Sequence, residues 1–476
     1  MKTISEILKF LSCGSSIGIE DLQIHDLFID SRVCDKTSVF VALKGQSTDG
    51  NKYIQSVMSN GCKYILTDTK SVSNSINIFY IDDLKENLAN IAKLFYDYKK
   101  PNYTIGITGT NGKTSIAHNI SELLTLAKHK TLMLGTNGNG IYPNLKTSSL
   151  TTLDTLSLYG MIKCNSGADS LVMEVSSHSL EQNRAAGIDF DIAVFSNLSH
   201  DHLDYHVTME EYFLAKAKLF QQKSLKKAVI NIDCIYGQRL CEITAAPVTT
   251  VSLLNKSADV YINILAVNGL STNFELFLNG NIVCEFTINL VGDFNMINIG
   301  LTLASVIDII AKENIPLIEK LTPVKGRMEI VTVANGVQVV IDFAHTPDAL
   351  EKALQTLKKY SEKNLWCLFG CGGDRDPSKR AVMAEIAAKH ADKIVVTEDN
   401  NRFESFENIL CDIKQGFNDS DKYMVIESRK EAIEYCIKNA SAGDIILLAG
   451  KGHELYMDKC GKKVFFDEQD VVFNAN

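Results

Sequence analysis

The sequence lacks several features that would place it in a specialised class. No apolar run approaches the roughly 20 residues of a transmembrane helix, and the first residues carry no apolar signal-peptide core. Basic residues are outnumbered, with 48 Lys and Arg against 57 Asp and Glu and a net charge of −9. Nonspecific nucleic-acid binding needs a basic face, so nucleic acid is not an expected partner. We expect a cytoplasmic protein without membrane insertion.

Cysteine pairs with metal-binding or redox spacing are also missing. The twelve cysteines are scattered singly and form no Cys-x-x-Cys motif. Cys284 and Cys367 lie within apolar runs, which favours reduced cysteines in the core over disulfides or a zinc site.

Strand-like apolar runs alternate with helical patterns along most of the 476 residues, which predicts an α/β protein of about three domains. We expect a small amino-terminal α/β domain over residues 1–100. A central P-loop-type domain with a mostly parallel sheet should follow over 101–323. A Rossmann-like, doubly wound domain should cover 324–476. Polar residues cluster after the predicted strands, where open α/β sheets bind ligands.

One glycine-rich turn gives the clearest indication of function: Gly109-Thr110-Asn111-Gly112-Lys113-Thr114-Ser115. It joins a strand-like run to an amphipathic helical pattern, so its backbone N–H groups and the helix N-terminus can bind phosphate. Lys113 adds a positive charge, and the Thr114 hydroxyl can ligate Mg²⁺. Ile107 stands where the strict P-loop motif has glycine, so the alternative is a glycine turn beside a surface lysine. The order of strand, turn and helix favours a nucleoside triphosphate.

Two further sets of residues could bind a metal. Glu174 ends a predicted strand and could share Mg²⁺ with Thr114, or it could be satisfied by local backbone or a basic partner. A second set combines His200, His202 and His206 with Asp201 and Asp204. A magnesium shell, a zinc site and structural histidines all remain open for this set.

Charged residues elsewhere give weaker indications. Lys216 and Lys218 lie on a helical pattern, where lysines are usually solvated, and their spacing does not indicate catalysis. Arg375, Asp399 and Arg402 follow predicted strands. Arginine can bind a carboxylate through two hydrogen bonds and aspartate can bind an ammonium, so together they could recognise a zwitterion. A salt-bridge network between loops is the alternative.

Taken together, the motifs resemble the Mur ligase family. They are Gly109-Thr-Asn-Gly-Lys-Thr, Glu174-Val-Ser-Ser-His178, Asn197-Leu-Ser-His-Asp-His-Leu-Asp204, Gly292-Asp-Phe-Asn-Met-Ile-Asn298, Lys325-Gly-Arg-Met-Glu329, Asp342-Phe-Ala-His-Thr-Pro347 and Gly370-Cys-Gly-Gly-Asp-Arg-Asp376. With Asp30-Ser31-Arg32 and Gly450-Lys-Gly-His-Glu454, the resemblance covers almost the whole chain. It is closest to the members that add the third peptide residue.

The resemblance implies a reaction and a set of substrates. ATP would phosphorylate the D-glutamate carboxylate of UDP-N-acetylmuramoyl-L-alanyl-D-glutamate, and the amine of meso-diaminopimelate would attack the acyl phosphate. By the same resemblance, Thr114, Glu174 and His202 hold Mg²⁺, and Lys216 carries a carbamate from CO₂ that also binds metal. We expect the enzyme to be a monomer.

The resemblance also assigns the substrate contacts. ATP would bind the glycine-rich turn together with Asn298, Arg327 and Asp342. The UDP-linked substrate would contact Ser31, Thr151, Thr152, Ser176, Gln182 and Arg184. The incoming amino acid would contact Arg375, Asp399, Asn400, Asn401, Arg402, Gly450 and Glu454.

The sequence departs from the family pattern at two positions, and other functions have to be considered beside the resemblance. Asn401 and Leu153 stand where the family has proline. Arg402 argues against a lysine-adding ligase, and the motif at Asp30-Ser31-Arg32 argues against a folate polyglutamate ligase. An NTPase without ligase activity would leave the residues of the third domain unexplained. A zinc hydrolase built on the histidines is a further alternative.

Overall fold

The computed structural model describes residues 2–11, 21–45, 48–70, 77–148, 150–268, 271–290, 292–333, 336–418 and 422–475, without the side chains of Asp204, Asn268 and Thr332. It contains two compact units, each built from several stretches of chain. The first unit comprises Met1–Thr108, Lys128–Ala193 and Lys218–Lys226, and the second comprises Gly109–Ala127, Val194–Ala217 and Lys227–Asn476. The glycine-rich turn therefore belongs to the second unit, with the carboxy-terminal half of the chain. No helix within these described ranges is long and apolar enough to cross a membrane.

The first hundred residues form short elements: β1 (Lys2–Thr3), α1 (Ile4–Phe10), β2 (Gln23–Ile24), β3 (Asp26–Phe28), β4 (Ser38–Ala42), a 3-10 helix (Gly50–Tyr53), α2 (Ile54–Ser59), β5 (Tyr64–Thr67), β6 (Ile78–Tyr80) and α3 (Leu84–Phe95). Strands β3, β4, β5 and β6 pair in parallel in that order. Every residue of β4 and β5 is buried, as expected for parallel strands covered on both faces.

The central part of the chain contains β7 (Tyr103–Thr108), α4 (Lys113–Leu126), β8 (Thr131–Gly135), β9 (Gly138–Ile141), α5 (Thr155–Cys164), β10 (Ser170–Glu174), α6 (Ser177–Glu181), β11 (Ile192–Phe195), α7 (Leu203–His206), α8 (Met209–Phe220), β12 (Lys227–Asn231), α9 (Ile235–Ile243), β13 (Val248–Ser252), β14 (Val260–Asn268), β15 (Ser271–Leu278), β16 (Asn281–Ile288), α10 (Asp293–Val306) and a 3-10 helix (Lys312–Lys320).

The strands of each unit pair in a simple order. In the first unit, β7, β10 and β8 are parallel neighbours, and β9 returns antiparallel to β8. In the second unit, β12, β13 and β14 are parallel, whereas β14, β15 and β16 form antiparallel hairpins. Buried residues line α10 along almost its whole length, and this helix contacts α4 and strands β12 to β14.

The carboxy-terminal part contains β17 (Glu329–Thr332), β18 (Gln338–Asp342), α11 (Pro347–Lys358), β19 (Leu365–Phe369), α12 (Ser378–His390), β20 (Lys393–Val396), α13 (Phe406–Lys414), β21 (Tyr423–Val425), α14 (Arg429–Asn439), β22 (Ile445–Ala449), β23 (Tyr456–Lys459), β24 (Lys462–Phe465) and α15 (Glu468–Asn474). Its main sheet has the order β17-β18-β22-β19-β20-β21, parallel except for the edge strand β17.

Side chains along each strand of this sheet point alternately to its two faces, and each face has its own hydrophobic core. Leu365, Cys367 and Phe369 of β19 belong to a cluster with residues of α11, α12 and α13. Trp366 and Leu368 belong to a second cluster, with residues of α14 and α15. Successive strand residues point to opposite faces, so helices cover both faces of the sheet. The predicted doubly wound architecture is confirmed, and with it the α/β class.

One expectation about the core is wrong. Cys367 is buried, as predicted, but Cys284 is exposed on β16. The first five residues of β16 are all exposed, and because successive residues point to opposite faces, neither face of this edge strand is covered there. The eleven described cysteines are free thiols.

Candidate active site

The glycine-rich turn has a backbone that requires glycine. Gly109 has φ +147° and Gly112, at the N-cap of α4, has φ +87°. A Cβ on Gly109 would lie 1.9 Å from Ser196 Oγ, and one on Gly112 would lie 2.7 Å from Asn298 Oδ1. The turn is therefore closely surrounded, and it leads directly into α4, whose N-terminus is the kind of position that binds an anion.

Residues after β11 hold this turn in place. The Thr110 N–H donates to the Asn197 carbonyl at 2.8 Å, and the Asn111 N–H donates to Asn197 Oδ1 at 3.0 Å. Ser196 Oγ donates to the Asn111 carbonyl at 2.5 Å. The Lys113 ammonium donates to the carbonyls of Gly109 and Thr110, at 3.0 and 2.9 Å. Such a restrained loop is suited to a phosphate group, because little ordering remains to be done on binding.

Lys216 differs most from its prediction as a solvated lysine on the surface of a helix. It is 1% exposed, and its Nζ donates to the Gly109 carbonyl at 2.8 Å, sharing that acceptor with Lys113. Burial lowers the pKa of Lys216 well below its ordinary value, and the Lys113 cation lowers it further. The expectation of a solvated lysine is therefore wrong for Lys216. It holds for Lys218, which is exposed and pairs with Glu181 at 2.8 Å.

The described residues of the histidine cluster are not arranged as a zinc site. Within the described residues, no group of three or more His, Cys, Asp or Glu side chains is placed to hold a metal ion. His206 is buried and stacks on the Tyr212 ring at a centroid distance of 5.0 Å. His202 has φ +54°, and its Nε2 lies 3.5 Å from Asp201 Oδ2. His206 thus has a packing role, and His202 remains the candidate ligand.

The linker before β17 brings further predicted nucleotide contacts to the turn. Arg327 Nη2 donates to Thr114 Oγ1 at 3.4 Å, and the Arg327 guanidinium lies 4.5 Å from the centre of the Phe343 ring. Asp342 ends β18, and its carboxylate accepts the Met328 N–H at 2.7 Å. Burial raises the pKa of Asp342, although the Arg327 cation opposes the shift. Asn298 lies beside Gly112, so both Asn298 and Arg327 lie at the turn.

The ends of β20 and β22 bring together the residues predicted for the incoming amino acid. Asn400 Nδ2 donates to Glu454 Oε2 at 2.7 Å. A Cβ on Gly450 would lie 2.7 Å from Asp399 Oδ2. Asn401, which replaces the family proline, is 8% exposed, and no described residue bonds its side-chain oxygen. Lys451, which the sequence did not single out, is fully buried among these residues.

Two arginines predicted to bind the amino acid, Arg402 after β20 and Arg375 after β19, differ from the nearby Arg380. Arg402 has φ +52°, and its Nη1 donates to the Gly373 carbonyl at 2.7 Å. No described carboxylate pairs with Arg402 or with the exposed Arg375. Arg380, by contrast, is buried and pairs with Glu404 and Asp412 at 2.6 and 2.8 Å. Arg402 is thus fixed by backbone, with donors left for a ligand carboxylate.

The first unit gathers most residues predicted for the UDP-linked substrate. Glu174 ends β10, is 0% exposed, and accepts from the Thr136 N–H at 2.7 Å. Thr152 Oγ1 donates to the Glu174 carbonyl at 2.8 Å, and Arg184 Nη1 donates to the Thr152 carbonyl at 2.6 Å. Thr136 Oγ1 also donates to Thr151 Oγ1 at 3.1 Å. These hydroxyls and the arginine form one polar cluster at the end of β10.

The remaining predicted contacts lie beside or outside this cluster. Ser176 is the N-cap of α6, with its Oγ accepting the Ser179 N–H, and Gln182 is the C-cap of the same helix. Ser31 lies in the loop after β3, in a different sheet of the same unit. That loop is held by Arg32, whose Nη2 lies 2.6 Å from Asp30 Oδ2.

Comparison with known proteins identifies the family. Residues 107–306 match the Mur ligase middle domain, and residues 326–452 match the Mur ligase glutamate ligase domain. Over 473 residues, the chain is 35% identical to the UDP-N-acetylmuramoyl-L-alanyl-D-glutamate–2,6-diaminopimelate ligase of Haemophilus influenzae, covering 95% of this chain and 96% of that protein. The chain belongs to the Mur ligase family.

Other Mur ligases agree with this assignment. The ligase of the same name from Listeria monocytogenes is 35% identical over 480 residues, covering 98% of this chain and 97% of that protein. A solved structure of such a ligase is 35% identical, covers 98% of each chain and has a TM-score of 0.68. The MurF ligase of Thermotoga maritima in complex with ADP is 17% identical with a TM-score of 0.68, and shares the fold. The resemblance to Mur ligases is confirmed, as is the expectation of an amide-forming ligase.

Sequence reasoning missed two residues that bond predicted site residues, one in each unit. Thr136 bonds both oxygens of Glu174, but it lies in a short turn between strands without a distinctive pattern. Lys451 lies within the motif Gly450-Lys-Gly-His-Glu454. The motif was visible, and a lysine between two glycines after a buried strand was the available signal.

Proposed function

We propose that this Mur ligase joins meso-2,6-diaminopimelate to the D-glutamate of UDP-N-acetylmuramoyl-L-alanyl-D-glutamate, using ATP. Full-length similarity to ligases of that name supports the reaction class. The observation that carries the amino-acid assignment is Arg402. It is held by the Gly373 carbonyl, lacks an acidic partner among the described residues, and adjoins Asp399 and Asn400. Such an arginine suits the distal carboxylate that distinguishes diaminopimelate from lysine.

The proposed reaction has two steps. The turn Gly109–Ser115 and Lys113 bind the phosphates of ATP while the γ-phosphoryl group passes to the D-glutamate carboxylate, giving an acyl phosphate and ADP. The amino group of diaminopimelate, as the free amine, then attacks the acyl carbon. Phosphate leaves, and the new amide nitrogen loses a proton. The protein contributes mainly positioning and charge neutralisation.

Nucleotide binding involves residues of the second unit. Arg327 at the Thr114 hydroxyl places a guanidinium where the phosphates would end, and Asn298 beside Gly112 would contact the adenine. Asp342 would contact the ribose. Thr114, Glu174 and His202 would hold Mg²⁺, which supplies charge neutralisation when bound.

The environment of Lys216 fits a carbamate. Its buried amine has a lowered pKa and shares one carbonyl with Lys113, so a second cation there would be repelled. A neutral amine is the form that reacts with CO₂, and the resulting carbamate would replace repulsion of Lys113 by attraction. Mg²⁺ prefers oxygen ligands, so a carbamate oxygen and the Thr114 hydroxyl form a suitable donor set.

The proposal assigns the substrates to different parts of the chain. Residues 1–100 would bind the uridine diphosphate end through Ser31, and residues 101–323 would bind ATP and the peptide. Residues 324–476 would bind diaminopimelate through the strand-end residues, including Arg375, Gly450 and Glu454. The enzyme would act in the cytoplasm, because the cytoplasm supplies ATP. We propose that it acts as a monomer.

The test is direct detection of the product. The purified chain is incubated with ATP, Mg²⁺, the UDP-linked dipeptide and meso-diaminopimelate, and the UDP-linked tripeptide is measured by mass spectrometry. Omission of ATP should abolish the product. Product with L-lysine in place of diaminopimelate would favour the lysine-adding alternative, and ATP hydrolysis without any peptide product would favour a plain NTPase.

A further inference from the structure

A fully buried lysine lies among the residues proposed to bind the incoming amino acid. The Lys451 side chain is 0% exposed. Its Nζ lies 3.1 Å from Asn400 Oδ1, 3.1 Å from Glu454 Oε2 and 3.6 Å from Asp399 Oδ1. A lysine is almost never fully buried unless it is paired, so these three contacts account for its position.

Lys451 and Asn400 together orient the Glu454 carboxylate. Both donate to Glu454 Oε2, from Nζ at 3.1 Å and from Nδ2 at 2.7 Å. Among the described residues, Glu454 Oε1 accepts only the Tyr456 hydroxyl, at 3.3 Å. One carboxylate oxygen is therefore fixed by two donors, and the other is free to accept a further donor from a ligand.

The same lysine sets the charge of this group of residues. Asp399 and Glu454 carry two negative charges, and Lys451 reduces the total to one. Burial by itself would raise the pKa of Asp399, but the cations of Lys451 and Arg429 outweigh burial and hold that pKa below its ordinary value. Without Lys451, Asp399 would lose a cation that opposes burial, and the pKa of its carboxyl would rise.

We propose that Lys451 is a positioning residue for the incoming amino acid, which holds Glu454 and Asn400 in place and leaves one net negative charge to receive its amino group. This inference rests on the proposed function, since it assumes that Asp399 and Glu454 face the amino acid. Lys451 acts through these residues and does not itself touch the substrate.

A purely structural role for Lys451 makes a different prediction. Arg429 shows such a role: it is buried, lies 2.7 Å from Glu468 Oε1, and bonds the carbonyls of Glu398 and Ala449. If Lys451 only stabilised the fold, its loss would lower the unfolding temperature and leave the KM for diaminopimelate unchanged in the enzyme that remains folded.

The test compares Lys451→Met, Glu454→Gln and the double variant with the wild type, using Lys462→Met on the exposed strand β24 as the matched control. Lys451→Met should raise the KM for meso-diaminopimelate by about tenfold or more, while the KM for ATP stays within about twofold. The double variant should raise the KM for meso-diaminopimelate by less than the product of the two single increases, because both substitutions act on the same carboxylate. Lys462→Met should match the wild type.

The outcomes separate this inference from the proposed function. A wild type that forms no product with diaminopimelate overturns the proposed function. An active wild type with an unchanged KM in Lys451→Met, or with fully multiplicative effects in the double variant, overturns the role of Lys451 alone. If Lys451→Met does not fold, Lys451→Gln is measured below its unfolding temperature. It keeps a donor for Glu454 but no charge, so the KM for meso-diaminopimelate should still rise, and an unchanged KM would overturn the role of Lys451.

Discussion

Replacing Arg402 by alanine tests the amino-acid assignment most sharply. In the structure, Nη1 donates to the Gly373 carbonyl, while Nε and Nη2 bond no described residue. A charge-assisted pair with a ligand carboxylate contributes about 1.5–3 kcal/mol. Because each 1.4 kcal/mol of lost binding corresponds to a tenfold change in kcat/KM, Arg402→Ala should lower kcat/KM for meso-diaminopimelate by about 10- to 150-fold.

The effect should be confined to the amino acid. L-Lysine lacks the distal carboxylate, so the low activity with lysine should change little, and the preference for diaminopimelate should fall. The variant loses one hydrogen bond to Gly373, about 1 kcal/mol, which a folded protein of this size tolerates. Nucleotide binding should survive.

The assay measures phosphate release at varied diaminopimelate, lysine and ATP concentrations. Arg239→Ala is the matched control, because this arginine pairs with Glu210 at 2.7 Å on the surface and should contribute little. Unchanged kinetics of Arg402→Ala with diaminopimelate would refute the reasoning, and so would an equal loss with lysine.

Further predictions concern the nucleotide site and the fold. Gly109→Ala would place a Cβ 1.9 Å from Ser196 Oγ and should abolish the thermal stabilisation by ATP; a wild-type response would contradict the proposed loop. Lys216→Ala should lose ligation, and excess bicarbonate should not restore it; an active variant would remove the carbamate proposal. Arg429→Met should lower the free energy of unfolding by about 3–5 kcal/mol, measured with denaturant, because it leaves buried Glu468 unpaired. Adding Glu468→Leu should recover much of that loss, and a single variant as stable as the wild type would count against the buried pair.

Local patterns explain what the sequence could predict. The turn at Gly109 lies between a strand and a helix, and its glycines and lysine are adjacent in the chain, so its conformation follows from a short segment. The strand ends at Asp342 and Asp399 were likewise visible, since continuous apolar runs end there. The structure places Asp342 at the last position of β18 and Asp399 shortly after β20.

Long-range packing explains what the sequence could not predict. The burial of Lys216 depends on the Gly109 carbonyl, 107 positions away. Arg380 and Arg402 look alike in sequence, yet Arg380 has two acidic partners and Arg402 has none among the described residues. Cys284 lies in an apolar run whose strand is at a sheet edge, and no local pattern shows that this part of the strand lacks a covering layer.

The central claim is that this Mur ligase activates a carboxylate with ATP and gives it to meso-diaminopimelate. The most direct measurement is phosphate release with the UDP-linked dipeptide, compared for meso-diaminopimelate, L-lysine and no amino acid. We expect fast release with diaminopimelate and little with lysine or without an amine. Equal release in all three, or faster release with lysine, would contradict the account.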